Sequence, residues 1–446
     1  MIYIVPFLFW VECFRCDRRK IGGGKNMQDK YAVYVEALKA ELIPAMGCTE
    51  PIAIAYASAV CREQLEGFPE SVDIYVSRNI IKNVKSVVVP NTNKMRGIEV
   101  ACVAGFVAGH SERQLQVLAY ISEEEKAAIK KYTEAGIVKV HVSEEPDIFY
   151  IRVEAAQGGH TAAVTIRTDH TNITCIKKDD CVIMEKQVEP MQEEEAVCLW
   201  KLDEVISAAA NMPLAPVEEF LQRQIDYNMA IAEEGLKNEY GASIGKILLQ
   251  REPNSKRIQA KANAAAASDA RMNGCELPVV IVSGSGNQGI TASVPVVVYG
   301  RAMKVEQEKL LRALLLSDLI TIYLKQGIGK LSAYCGAVSA GCGSGAGIAF
   351  LHDCTSEQIE HVVENALAIN SGIICDGAKS SCAAKIAMSI EGGLLAFDMM
   401  MAEKNFAGGD GIVQKTADET IAAVGKIASQ GMVETDREII DVMLGI

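Results

Sequence analysis

Two cysteine pairs, Cys335 with Cys342 and Cys375 with Cys382, fall within 48 residues near the C-terminal end of the chain. They sit in Tyr334-Cys335-Gly-Ala-Val-Ser-Ala-Gly-Cys342-Gly-Ser-Gly-Ala-Gly347 and Gly372-Ile-Ile-Cys375-Asp-Gly-Ala-Lys-Ser-Ser-Cys382. With so little side-chain bulk between them, several thiolates can approach one another, a composition suited to metal. Members of a pair are seven residues apart, which on a helix means one face but a separation of about 10 Å. That is too far to chelate one small ion. The pattern therefore demands either a break in the helix, for which Gly336, Gly372 and Gly377 are available, or a larger inorganic body such as an iron–sulfur cluster.

At 446 residues the chain is long enough for two or three cores. Forty-four Lys and Arg against 57 Asp and Glu leave a net charge of −13, and no basic block offers itself to a phosphate backbone. Nucleic acid is excluded as a partner on that ground. Fourteen cysteines without a signal peptide point to reduced thiols in the cytoplasm. Cys61, Cys102, Cys198 and Cys275 lie in apolar or Ala-rich surroundings and read as buried hydrophobes. The apolar start Met1–Trp10 is too short for a membrane anchor and lacks a basic flank and a cleavage site. Residues 1–26 read as an extension ahead of a natural start at Met27, so the Cys13 and Cys16 pair carries no function.

Helical spacing covers 31–66, interrupted at Pro44-Ala-Met-Gly47-Cys48-Thr49-Glu50-Pro51, where Thr49 is expected to cap the second helix. Cys48 then stands at a helix N-terminus, where the dipole favours a thiolate. Activated and structural readings of this cysteine both stay open. From 71 to 185 the pattern turns to short β-type runs at 72–76, 86–89, 139–142, 150–154, 162–167 and 173–177, with helices at about 97–109 and 122–135. Ser77–Asn83 reads as a polar strand-to-loop segment, and His160 as a hydrogen-bonded loop residue. After an acidic boundary at 187–195 the chain is largely helical, with stretches at about 201–210, 216–237, 241–250, 256–273, 288–298, 306–325, 345–351, 355–370 and 380–402. The division expected is a helical segment carrying Cys48 (27–70), an α+β domain (71–190) and a mostly helical catalytic domain (191–446), α+β as a whole. Ser283-Gly-Ser285-Gly-Asn287-Gln288-Gly289 opens a helix and offers amides and hydroxyls to an anion, for which a carboxylate is the expectation. It matches neither nucleotide-binding glycine pattern.

Taken together, Gly47-Cys48-Thr49-Glu50-Pro51, the Ser283–Gly289 run, Cys335–Cys342 and Cys375-Asp-Gly-Ala-Lys-x-x-Cys382 make the chain resemble the L-cysteine desulfidase family from about Met27 onward. The helical part is similar, more distantly, to the catalytic α-domain of iron–sulfur L-serine dehydratases. The resemblance implies a lyase that breaks L-cysteine into sulfide and aminoacrylate, which yields pyruvate and ammonia. It implies a 4Fe-4S cluster on Cys335, Cys375 and Cys382, with Cys342 the substitute for Cys382 because the last spacing is shorter than in serine dehydratases. It also implies that Cys48 is the base; a fourth iron ligand in the resting enzyme is the other role open to it. Ser283, Ser285, Asn287 and Gln288 are then the substrate-binding candidates. L-Cysteine is the expected small-molecule partner, L-serine the alternative, and self-association into a homo-oligomer is compatible with both.

Two rivals follow from the same residues. A non-catalytic protein could place zinc or a redox-sensing cluster on Cys335, Cys342, Cys375 and Cys382, since four thiolates satisfy zinc fully. A pyridoxal-phosphate lyase would need Lys379, the one lysine inside the cysteine cluster, but nothing around it resembles a cofactor cradle.

Overall fold

The computed structural model describes residues 27–187, 200–329 and 332–445. Residues 1–26 with Cys13 and Cys16, Cys198, and most of the acidic boundary lie outside the described residues. The fold is α+β and mostly helical, with one six-stranded mixed sheet.

Alternating apolar residues build the sheet. Val72, Ile74 and Val76 of β2 (Ser71–Val76), Ile151, Val153 and Ala155 of β4 (Tyr150–Gln157), and Ala162, Val164 and Ile166 of β5 (His160–Arg167) are all buried. The order is β3-β2-β4-β5-β6-β7, where β3 is Val138–Val142, β6 Ile173–Lys178 and β7 Cys181–Glu185. Only β2 and β3 run parallel. The helix α2 (Thr49–Arg62) packs against β4 and β5 and against α4 (Ile98–Ala108).

Three expectations change. Residues 86–89 form no strand, only an isolated bridge from Val88 to Arg96, and the polar segment before them is a helix, α3 (Arg78–Val84). The cap of α2 is Cys48, with Thr49 already inside the helix. His160 opens a strand and faces the Asp179 carboxylate at 3.2 Å. A short pair was not anticipated: β1 (Pro44–Met46) runs antiparallel to β8 (Pro278–Val280), with Ala45 opposite Val279.

The helical part centres on α12 (Gly336–Leu351), which begins nine residues before the expected 345. Its glycines form two stripes. A Cβ at Gly341 or Gly345 would lie 2.4 Å or 2.9 Å from the carbonyls of Ser389 and Gly393 on α14 (Cys382–Met401). One at Gly343 or Gly347 would lie 2.5 Å or 2.8 Å from the carbonyls of Ser317 and Ala313 on α11 (Gln307–Ile328). Spacing of four residues puts each stripe on one face, so α12 is wedged between two backbones that no larger residue would admit.

Candidate active site

Four helix starts meet here. Cys48 is the N-cap of α2, Cys335 the N-cap of α12, Cys382 the first residue of α14, and the Ser283–Gly289 run opens α10 (Gly286–Met303). The first-turn amides of each lack acceptors within their own helix, and the positive ends of the dipoles favour negative charge.

Local pairing brings the segments together. Cys335 N–H donates to Ile373 O at 3.1 Å and Cys375 N–H to Ala333 O at 2.6 Å, around an antiparallel bridge between Tyr334 and Ile374. Cys375 is thereby laid beside Cys335 although 40 residues separate them. The loop then turns at Gly377 (φ +89°), where a Cβ would meet Lys82 O at 2.2 Å, and Cys382 Sγ approaches Gly377 O at 3.7 Å. Lys379 and Lys385 both pair with the Asp376 carboxylate, and Lys385 Nζ also donates to Ile374 O at 2.8 Å. This clamp fixes the chain between the second and third thiols.

The three thiols interact electrostatically. Burial pushes Cys335 up to about 12, with Cys375 and Cys382 adding to the shift and Lys385 opposing it; burial also raises Cys382, again with Cys375 adding. Lys325, 6% exposed on α11, is drawn down to about 8 by burial, against the pull of Cys375, Cys335 and Glu41. Cys342 stands apart. It is fully buried within α12, two turns from Cys335, and no other thiol contributes to its raised acidity constant.

Cys48 reaches the same place from the other side. The β1–β8 pair pins its segment beside the glycine-rich run, Thr49 Oγ1 donates to Gly284 O at 3.2 Å, and Gly47 (φ +61°) tucks under Pro90. Cys48 shares a small apolar cluster with Val87 and Met272, against which Ala378 and Cys382 pack. Its Sγ donates to Glu50 Oε2 at 3.1 Å; the same oxygen accepts from Thr49 Oγ1 at 3.0 Å, and Glu50 Oε1 accepts from Asn83 Nδ2 at 3.1 Å. The expected lowering by the helix dipole is reversed. Burial first, then Glu50, raise the Cys48 thiol well above its ordinary value, and Arg271 only partly offsets them. A dipole contribution of about 1 kcal/mol does not outweigh desolvation of that kind.

Ser283 adopts φ 48°, and its carbonyl accepts from Gln288 Nε2 at 3.4 Å. Ser285 is the N-cap of α10, with no side-chain capping bond. Asn287 is engaged with the neighbouring helix α9 (Lys256–Met272), since Oδ1 accepts from Ser268 Oγ at 3.2 Å and Nδ2 lies 3.6 Å from Met272 Sδ. Gln288 lies against Gly336, where a Cβ would be 2.5 Å from Cδ, and its Oε1 is buried without a partner. The loop thus spans from the Cys48 segment to Cys335.

Arg271, which the sequence reading did not single out, lies in the last turn of α9 at 3% exposure, with the Glu50 carboxylate and the Cys48 and Cys382 thiols as its titratable neighbours. A basic residue in the last turn of an Ala-rich helix looks like an ordinary dipole complement, so no signal in the sequence set it apart.

Among the described residues no three His, Cys, Asp or Glu side chains converge closely enough to hold a single metal ion. Three adjacent, half-buried thiols flanked by Lys325 and Lys385 fit a larger, anionic, sulfur-ligated body better than mononuclear zinc. No helix among the described residues is long and apolar enough to cross a membrane.

Residues 112–441 match the family described as serine dehydratase alpha chain. The chain is 47% identical to a UPF0597 protein of Desulfitobacterium hafniense over 94% of this chain and 98% of the relative. It is 45% identical to one of Lachnoclostridium phytofermentans (93% and 100%) and 43% identical to one of Treponema denticola (94% and 99%). The chain belongs to the serine dehydratase alpha chain family, within the group of UPF0597 proteins.

Proposed function

We propose that the protein is an iron–sulfur lyase that eliminates sulfide from L-cysteine, giving aminoacrylate and then pyruvate and ammonia. The observation that carries the reading is the meeting of Cys335, Cys382, Cys48 and the Ser283–Gly289 run at four helix starts, with Cys375 laid beside Cys335 by backbone pairing. Cys335, Cys375 and Cys382 would hold a 4Fe-4S cluster, and burial, which raises Cys335 and Cys382, means that loading displaces protons from those two thiols. The cluster, when bound, supplies an open iron as Lewis acid toward the leaving group.

The chain's own residues supply the rest. Cys48 is a thiol at neutral pH, so it becomes a base by passing its proton to Glu50 Oε2, the acceptor 3.1 Å away. Asn83 Nδ2 and Thr49 Oγ1 hold that carboxylate in place, and Arg271 stabilises the thiolate that results. The thiolate then takes the Cα proton as the β-substituent departs. The Ser283–Gly289 run orients the small amino acid through the first-turn amides of α10 and Gln288.

The family match favours L-serine as a second reading, with water leaving in place of sulfide. Strictly anaerobic assays of pyruvate release from both amino acids test the proposal. A higher kcat/KM for L-cysteine, with sulfide released in equal amount, is expected. Preference for L-serine would install the second reading, and no pyruvate from either would remove both.

A further inference from the structure

Arg271 is buried to 3% exposure, its Nε is sealed from solvent without a hydrogen-bond partner, and among the described residues no carboxylate forms an ion pair with it. Glu50, the acidic neighbour, already accepts from Cys48, Thr49 and Asn83. A buried cation that Glu50 influences only at a distance, with no direct ion pair, is unfavourable unless something anionic completes it. The guanidinium also lies against the start of α10: a Cβ at Gly286 would be 2.4 Å from Nε and 2.7 Å from Cζ, so only glycine lets the two meet. An unpaired planar cation and the free amides of a helix start therefore address one spot, between Cys48 and Cys382.

We infer that Arg271 is the anchor for the α-carboxylate of the substrate, gripping it together with the amides of Gly286 to Gln288. The inference rests on the proposed lyase reading for the identity of the substrate. It adds a charged contact where the sequence offered only neutral donors, and it restricts ligands to small α-carboxylates. Seated there, a small amino acid has its Cα beside Cys48 and its β-substituent directed to the three-thiol side, where Gln288 touches Gly336.

Equilibrium dialysis of the anaerobic holoprotein with labelled pyruvate tests the anchor without turnover. Wild type should bind pyruvate and discriminate strongly against pyruvamide, which lacks the charge. Arg271→Met with unchanged iron content should bind pyruvate at least about 100-fold more weakly, the loss expected for a charge-assisted bidentate pair. Arg271→Lys should fall between the two. KM for L-cysteine should rise in parallel, whereas a residue acting only on the Cys48 thiolate would lower kcat at constant KM. Equal affinity of wild type for pyruvate and pyruvamide would overturn the inference even if Arg271→Met failed to fold, and so would unchanged pyruvate affinity in an iron-replete Arg271→Met. The two proposals fail separately. Turnover of L-cysteine with Arg271-independent pyruvate binding removes the anchor alone, whereas Arg271-dependent binding without turnover of L-cysteine or L-serine removes the lyase and leaves a carboxylate site.

Discussion

Cys48 and Glu50 stand two residues apart at the start of a helix, and Cys48 Sγ donates to Glu50 Oε2 at 3.1 Å. If the thiol must hand its proton to Glu50, then Glu50→Gln should cost turnover nearly as much as Cys48→Ser, about two to four orders of magnitude. Both variants should keep wild-type iron, and both should lose exchange of the substrate Cα proton with deuterated water. Full activity in Glu50→Gln would show that the proton leaves by another route. The nearness of Cys335, Cys375 and Cys382 was legible in the sequence, because glycine-rich segments around thiols leave little bulk to hold them apart. The local chemistry was not: the sequence shows Cys48 at a helix start, but not the burial that reverses the sign of its shift, and it gives Arg271 no distinguishing context.

Elements with strong periodicity were readable, as the buried alternation of β2, β4 and β5 shows. Three-residue strands have no periodicity to read, yet the β1–β8 pair is what ties Cys48 to the glycine-rich run. The apolar run Val87–Val89 was mistaken for a strand; it is a buried loop that follows α3. Two terminal helices, Ala417–Lys426 and Val433–Leu444, were not anticipated, although Thr416 caps the first and Glu419 three residues on was a usable signal. The glycine stripes of α12 give a sharp test at this scale. Gly341→Ala puts a methyl 2.4 Å from Ser389 O, so the helices must part, and a stability loss of about 1–3 kcal/mol is expected in chemical denaturation. Ala at Gly431, where the nearest atom is 3.9 Å away on a flexible side chain, should not show that loss.

At the scale of the whole molecule, distant segments are held onto the site. The C-terminal helix Val433–Leu444 binds α3 through the Lys82–Asp436 pair, Arg78 to Asp441 at 3.1 Å, and Lys85 Nζ to Met443 O at 2.6 Å; α3 in turn supplies Asn83 to Glu50. Global stability should also depend on pH through Asp318, which burial raises to about 8 despite a hydrogen bond from Gln224 at 2.9 Å. Below about pH 4 this carboxyl is protonated folded or unfolded. Between there and about 8 the unfolded chain ionises and the folded one does not, so stability falls as pH rises and levels off beyond. Asp318→Asn removes that slope. Its stability relative to wild type should grow from pH 5 to 8, by on the order of a few kcal/mol, in denaturant titrations at each pH.

On the proposed reading Cys335, Cys375 and Cys382, and not Cys342, hold the cluster that makes this chain a lyase. Iron and acid-labile sulfide, measured together on anaerobically purified wild type and on Cys335→Ala, Cys342→Ala, Cys375→Ala and Cys382→Ala, test it most directly. About four irons and four sulfides per chain are expected in wild type and in Cys342→Ala, with loss of both in the other three. Iron retained in Cys382→Ala but lost in Cys342→Ala, or zinc in place of iron throughout, would contradict it.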